Sequence, residues 1–414
     1  MRHGIGDHHA MVQPEHSRGV FVTRCMSTVA SLSGVLAAVL FAQGCNLTSL
    51  AVDTQSQVMD QAFPVVEEQT DYEFARAASP ANLMQIEGLL RLTPDDERLL
   101  LLATKGFASF AYGFIEDEME QAEVSGDLER ADRERARARN MYLKARDFGL
   151  RLLTLQQPEL AQALKGEPEA VRAFVQAEFT DTAAVPALFW TGYAWVSAIN
   201  LARDDIVMVA DLPIPAALIE RAVQLDETFY HAAGHVALGV IHASRGKSAG
   251  GDPEQGRQHF ERALQLTGRK ALVVQLNYAQ SYAVQTQDRK LFVALLQEVV
   301  DSPEGTEPSL SLANTIARRR AQRLLAQVDA LILPSLDSLG AAPPEHSPDG
   351  PTEPAEPTEP TEPTEPTEPA EPPQPEGRMS SPASGLSCRT HPESSQARSS
   401  ALSWEDMPWI AESS

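Results

Sequence analysis

Val236-Ala237-Leu238-Gly239-Val240, then Asp252-Pro253, then Phe260 with Ala263-Leu264-Gln265-Leu266-Thr267-Gly268, is the stretch that decides how this chain folds. Small residues at Ala237 and Gly239 let a neighbouring helix come close. Asp252 is placed to cap a second helix that carries Pro253 in its first turn. Phe260, Ala263 and Leu264 lie three to four residues apart, so they share the face turned to the first helix. One such hairpin cannot bury its apolar face alone, so it must stack on others.

The same pattern extends outward. Leu99, Leu102, Ala103, Gly106, Phe107 and Phe110 step by threes and fours, as do Leu218, Ala222 and Leu225, and Leu291, Leu295, Leu296 and Val299. No long period-two alternation appears between about residues 70 and 335. Three helices end on one phrase: Leu90-Arg91-Leu92-Thr93-Pro94, Val223-Gln224-Leu225-Asp226 and Leu264-Gln265-Leu266-Thr267. From Leu225 to Leu266 is 41 residues, against about 34 for a tetratricopeptide repeat. The insertion Arg245-Gly246-Lys247-Ser248-Ala249-Gly250-Gly251 accounts for the excess. The fold class is therefore all-α, built of tetratricopeptide-like helical hairpins.

The two ends read differently. Arg18 and Arg24 precede an apolar run from Val29 to Ala42, which is shorter than the ~20 residues of a membrane span and fits a signal peptide. It ends in Ala42-Gln43-Gly44-Cys45. Gly44 before Cys45 matches a bacterial lipobox, whereas Ala42 and Gln43 depart from the usual Leu and small residue. Cys45 is thus expected to be lipidated, with plain cleavage or an uncleaved anchor as the other readings. Acyl chains there would hold the protein on a membrane, and Asn46 in place of Asp favours the outer membrane over the inner. At the other end, Pro351-Thr352-Glu353-Pro354 opens a tandem Thr-Glu-Pro run to Pro372. Proline at every third position blocks helix and sheet and favours polyproline II. The expected organisation is a signal peptide with lipobox over 1–45, a linker over 46–70, a helical repeat domain over 71–335 and a disordered Pro/Glu/Ser-rich tail over 336–414.

Composition narrows the function. The net charge of −23 in 414 residues opposes phosphate backbones, so no nucleic-acid partner is expected. Three cysteines, Cys25, Cys45 and Cys388, form no C-x-x-C pair and no core staple. No G-x-S-x-G elbow is present. Gly246-Lys247-Ser248 imitates the end of a P-loop, but Ile241 stands where the phosphate-cradling glycine belongs. Asp204 and Asp205 are adjacent and so fall on different helix faces. Arg318-Arg319-Arg320 reads as a solvated helix face. No enzyme, cofactor or metal is expected. His231, His235 and His242 fall within about 40° on a helical wheel, yet no carboxylate or cysteine joins that stripe to complete a zinc site. They read as packing histidines or as the wall of a cavity. Trp190, Tyr193 and Trp195, beside Phe189, carry two readings as well, core or ligand cavity. The candidate ligand-binding set is Trp190, Tyr193, Trp195, Tyr230, His231 and His235.

Several segments carry a resemblance to a known family. They include Thr104-Lys105-Gly106-Phe107-Ala108-Ser109-Phe110-Ala111-Tyr112-Gly113-Phe114 leading into Glu116-Asp117-Glu118, and Tyr142-Leu143-Lys144-Ala145-Arg146-Asp147-Phe148. Val185-Pro186-Ala187-Leu188-Phe189-Trp190, Tyr230-His231-Ala232-Ala233-Gly234-His235 and Gln287-Asp288-Arg289 follow. In that order they resemble the T-component (TatT) family of periplasmic lipoproteins, which accompany tripartite ATP-independent periplasmic (TRAP) transporters. The resemblance implies a tetratricopeptide-like fold, a lipid anchor in the periplasm and self-association, with a trimer as the oligomer the family suggests. It also implies partnership with a TRAP solute-binding protein and uptake of a small organic or hydrophobic ligand. The Pro/Glu tail is outside the family pattern. An envelope scaffold, organising other proteins through its repeats, stands as the alternative.

Overall fold

A computed structural model describes residues 44–333 apart from Thr306. The expected signal peptide before Gly44 and the expected tail from 336 lie outside the described residues. The side chain of Cys45 is likewise not described. Among the described residues every regular element is helical and none is a strand.

Aspartates set the helix starts. Asp71, Asp96, Asp127, Asp252 and Asp288 each accept a hydrogen bond from the backbone N–H three residues on, at 2.9–3.2 Å, which satisfies one of the donors that a helix start leaves orphaned. They open α3 (Tyr72–Leu90), α4 (Glu97–Phe110), α6 (Leu128–Gln156), α11 (Pro253–Thr267) and α13 (Arg289–Asp301). Before these come α1 (Gly44–Ala62) and α2 (Pro64–Glu67); α4 continues through a π turn (Ala111–Ile115) into α5 (Glu116–Ser125). The others are α7 (Pro168–Glu178), α8 (Val185–Asn200), α9 (Pro213–Leu225), α10 (Phe229–Ala243), α12 (Leu272–Tyr278) and α14 (Ser311–Leu325).

Each helix packs on its near neighbours: α4 on α6, α6 on α8, α8 on α9, α10 on α11, and α13 on α14. The α10–α11 contact is the expected hairpin. Gly239 lies under the Phe260 ring so closely that a Cβ there would stand 2.8–3.0 Å from three ring carbons. The Leu-x-Leu phrases do end helices, at Leu90, Leu225 and Thr267. The run Glu97–Ser125 is long and apolar enough to cross a bilayer, but 72 % of its apolar window is buried inside the protein, so it serves here as the central core helix.

Two expectations need correcting. Residues 46–70, expected to be a linker, are largely helical as α1 and α2. Val52, Ser56, Met59 and Phe63 recur at helical spacing among polar neighbours. Val52 and Ser56 are buried, and Met59 and Phe63 pack against the same core. Arg318-Arg319-Arg320 is not a uniformly solvated face either, since Arg320 is only 3 % exposed. Its helix, α14, comes back onto α2 and α3 and joins the end of the domain to its beginning.

Candidate functional site

The helices enclose a cavity of about 770 Å³, within the range of about 300–1,000 Å³ typical of small-molecule sites. Two elements supply the part of its aromatic wall that holds the expected residues. From α8, Phe189, Trp190 and Tyr193 form one cluster, with Phe189 and Tyr193 stacked at 5.8 Å and Trp190 edge-on to Tyr193 at 5.8 Å. From the start of α10 comes Tyr230, 4.8 Å from the Trp190 ring.

Tyr230 reaches that position through an uncommon backbone. Tyr230, His231 and Ala232 have φ of 47°, 56° and 57°, three successive non-glycine residues in the left-handed region. Each costs on the order of 1–2 kcal/mol relative to the right-handed form. The right-handed part of α10 begins only beyond Ala232. The turn is fastened from outside: the Tyr230 hydroxyl donates to Glu67 Oε1 at 2.8 Å, and Lys105 Nζ lies 2.8 Å from the same oxygen. Lys105 also stands 4.2 Å from the Phe63 ring centroid and 5.0 Å from that of Tyr230, a cation–π arrangement.

The other end of the wall is polar. Arg320 Nε donates to both carboxylate oxygens of Glu120 at 3.0 and 3.1 Å, and its Nη2 donates to Glu116 at 3.0 Å. Arg323 joins Glu120 and Asp117, and the Tyr142 hydroxyl donates to Glu116. Burial pushes the Glu116 carboxyl up, with Arg320 and Tyr142 opposing. Glu120 is held below the usual carboxylate range: its burial is outweighed by Arg320 and Arg323. The Arg320 guanidinium lies 4.6 Å from the Tyr112 ring centroid.

The structure divides the expected site residues. Trp190, Tyr193, Tyr230 and His231 line the cavity together. Trp195 and His235 do not. Trp195 is 2 % exposed, with the Arg146 guanidinium 5.4 Å from its ring. His235 Nδ1 lies 2.9 Å from His259 Nδ1, and its Nε2 lies 3.2 Å from Glu227. The histidine stripe also changes membership. The left-handed turn takes His231 off it, and His259 from α11 stacks on His242 at 5.7 Å. Among the described residues, no group of three His, Cys, Asp or Glu is arranged to hold a metal ion. Sequence reasoning missed Phe63, Glu67, Arg203 and Arg320 as cavity residues. Glu116-Asp117-Glu118 and Arg318-Arg319-Arg320 were both visible as charge runs, but nothing local signals that they pair across about two hundred residues.

Fold and cavity define a class: an all-helical protein built around a small-molecule-sized chamber. The family model of the TRAP transporter T-component matches residues 68–332, so the chain belongs to that family. It is an accessory of TRAP transport, associated with TRAP components in the periplasm or cell envelope. No curated protein matches the chain.

Proposed function

We propose that this T-component is a periplasmic lipoprotein whose cavity receives a small organic or hydrophobic ligand and which docks the TRAP solute-binding protein. The reading is carried by the 770 Å³ chamber with Trp190, Tyr193 and Tyr230 in its wall. Aromatic walls bury large apolar area without disordering the site. The hairpins are of the tetratricopeptide kind, the protein acts as a homo-oligomer (a trimer in the family pattern), and its role is binding, not catalysis. Cys45 carries the lipid and tethers it to the outer membrane.

The test uses the full chain. N-phenyl-1-naphthylamine, an uncharged apolar fluorophore, should bind with saturable blue-shifted emission, and Trp190→Ala should weaken binding at least tenfold while circular dichroism stays helical. Purification from native membranes should recover a TRAP solute-binding protein, and native mass spectrometry should report the oligomer. Cys45→Ser should release the protein from the membrane fraction. Absent fluorophore binding removes the ligand role. A purified complex without a solute-binding protein removes the docking role.

A further inference from the structure

The charged side chains in the cavity wall differ in one respect. Glu67 is paired with Lys105, and Glu116 and Glu120 are paired with Arg320. The remaining polar liners include neutral amides and hydroxyls such as Asn200, Asn277, Gln280 and Ser281. An ionised group pushed into the interior would lose its hydration and find every fixed charge already satisfied, which is costly. The interior therefore suits an uncharged body.

Arg203 is the exception. It follows α8 in the loop from Leu201 to Asp205, lines the cavity and yet is exposed, so it stands at the mouth. Among the described residues it has no acidic partner. The one charge felt there is another cation, Arg245, just past the end of α10, and burial and that repulsion both pull the Arg203 pKa down. Arg245 forms no ion pair among the described residues either. Most of this protein's arginines are matched to carboxylates, whereas Arg203 brings to an apolar chamber's opening a guanidinium with no ion pair among the described residues, and Arg245 adds positive charge to it.

We propose that the ligand is an amphiphile, its uncharged chain lying along the aromatic wall and its anionic head, a carboxylate or a phosphate, held at the mouth by Arg203, with Arg245 adding to the positive charge there. This rests on the cavity being a ligand site. It adds the head group's charge, its location and the direction in which the ligand lies.

The experiment displaces N-phenyl-1-naphthylamine from the full chain with dodecanoic acid, dodecyl phosphate and dodecan-1-ol, which share one chain and differ in the head. The two anions should displace it at concentrations about tenfold lower than the alcohol. That gap should shrink in high salt, since the head remains near solvent. It should vanish in Arg203→Ala/Arg245→Ala, with the alcohol unchanged; both residues sit in loops, so the fold survives. Comparing the two anions tells which head fits better. Equal displacement by all three compounds, or a gap that persists in the double variant, overturns the head-group assignment while leaving the cavity reading standing. No fluorophore binding at all overturns both.

Discussion

Replacing Arg320 with methionine isolates the ion-pair clasp that holds α14, at the end of the domain, to α5. Methionine keeps much of the side-chain length, so the change removes charge and hydrogen bonds more than volume. What is lost is the paired contact to Glu120 and the bond to Glu116. Breaking a buried ion pair from one side costs about 3–5 kcal/mol, because the opposite charge stays behind. Here Glu120 keeps Arg323 and Glu116 keeps the Tyr142 hydroxyl, so the lower end, about 3 kcal/mol, is expected. At about 2–4 °C per kcal/mol for a domain of this size, Tm should fall by roughly 6–12 °C. Urea titration and calorimetry read both quantities. Arg320→Met/Glu120→Met should recover part of the loss, because it removes the carboxylate left with one partner while Arg323 keeps Asp117. A single variant within about 1 kcal/mol of the parent would refute the reasoning and leave apolar packing as what holds α14 to α5.

Gly239→Ala should destabilise by about 1–2 kcal/mol. Its new methyl meets the fully buried Phe260 ring at 2.8–3.0 Å, which outweighs the helix-propensity gain of up to about 1 kcal/mol; a stabilised protein in urea would contradict that packing. His231→Gly should raise stability by about 1 kcal/mol by relieving a left-handed φ of 56°, and a lower urea midpoint would show that the turn stores no strain. Stability should also fall with acid through the α10–α11 histidines. Burial, with repulsion from His235 and His242, brings the His259 pKa down to about 4. The unfolded chain, at about 6.5, therefore takes up the proton first. The stabilisation is whole above about pH 6.5 and is lost progressively down to about pH 4. For a half-buried ring it is about 2 kcal/mol after solvent screening. His235 and His242 are lowered in the same direction, with Glu227 opposing at the first and Glu220 and Asp252 at the second. His259→Gln should flatten the profile, and an unchanged slope would exclude this origin.

How much of this was legible depended on range. Helix ends, aspartate caps and the Gly239–Phe260 contact follow from residues within one or two turns of each other, or within one hairpin, and sequence spacing carries them. The stripe in α1 was harder, because Val52, Ser56, Met59 and Phe63 stand among polar residues and the segment reads as soluble coil. Trp190 and Tyr193 were found because three residues on a helix bring them to one face. Trp195 was grouped with them by proximity in the chain, although two positions beyond Tyr193 it turns to the opposite side. The left-handed turn was invisible, since Tyr, His and Ala give no propensity signal for positive φ. Its support comes from Glu67 and Lys105, far away in sequence. Arg203 and Arg320 show the same limit: what an arginine does depends on whether a carboxylate arrives from elsewhere.

The helix α1 runs from Gly44 to Ala62 without a break, and its far end supplies Met59 and Ala62 to the cavity wall, with Phe63 just beyond it. At 1.5 Å per residue, the proposed acylation point at Cys45 lies about 26 Å from Ala62. A leash of coil would let the chamber wander. A rod instead sets a stand-off and gives the chamber a bearing relative to the bilayer. Inserting four residues near Leu50 would lengthen the rod by about 6 Å and turn it by about 40°, changing what the mouth faces while leaving the chamber itself intact.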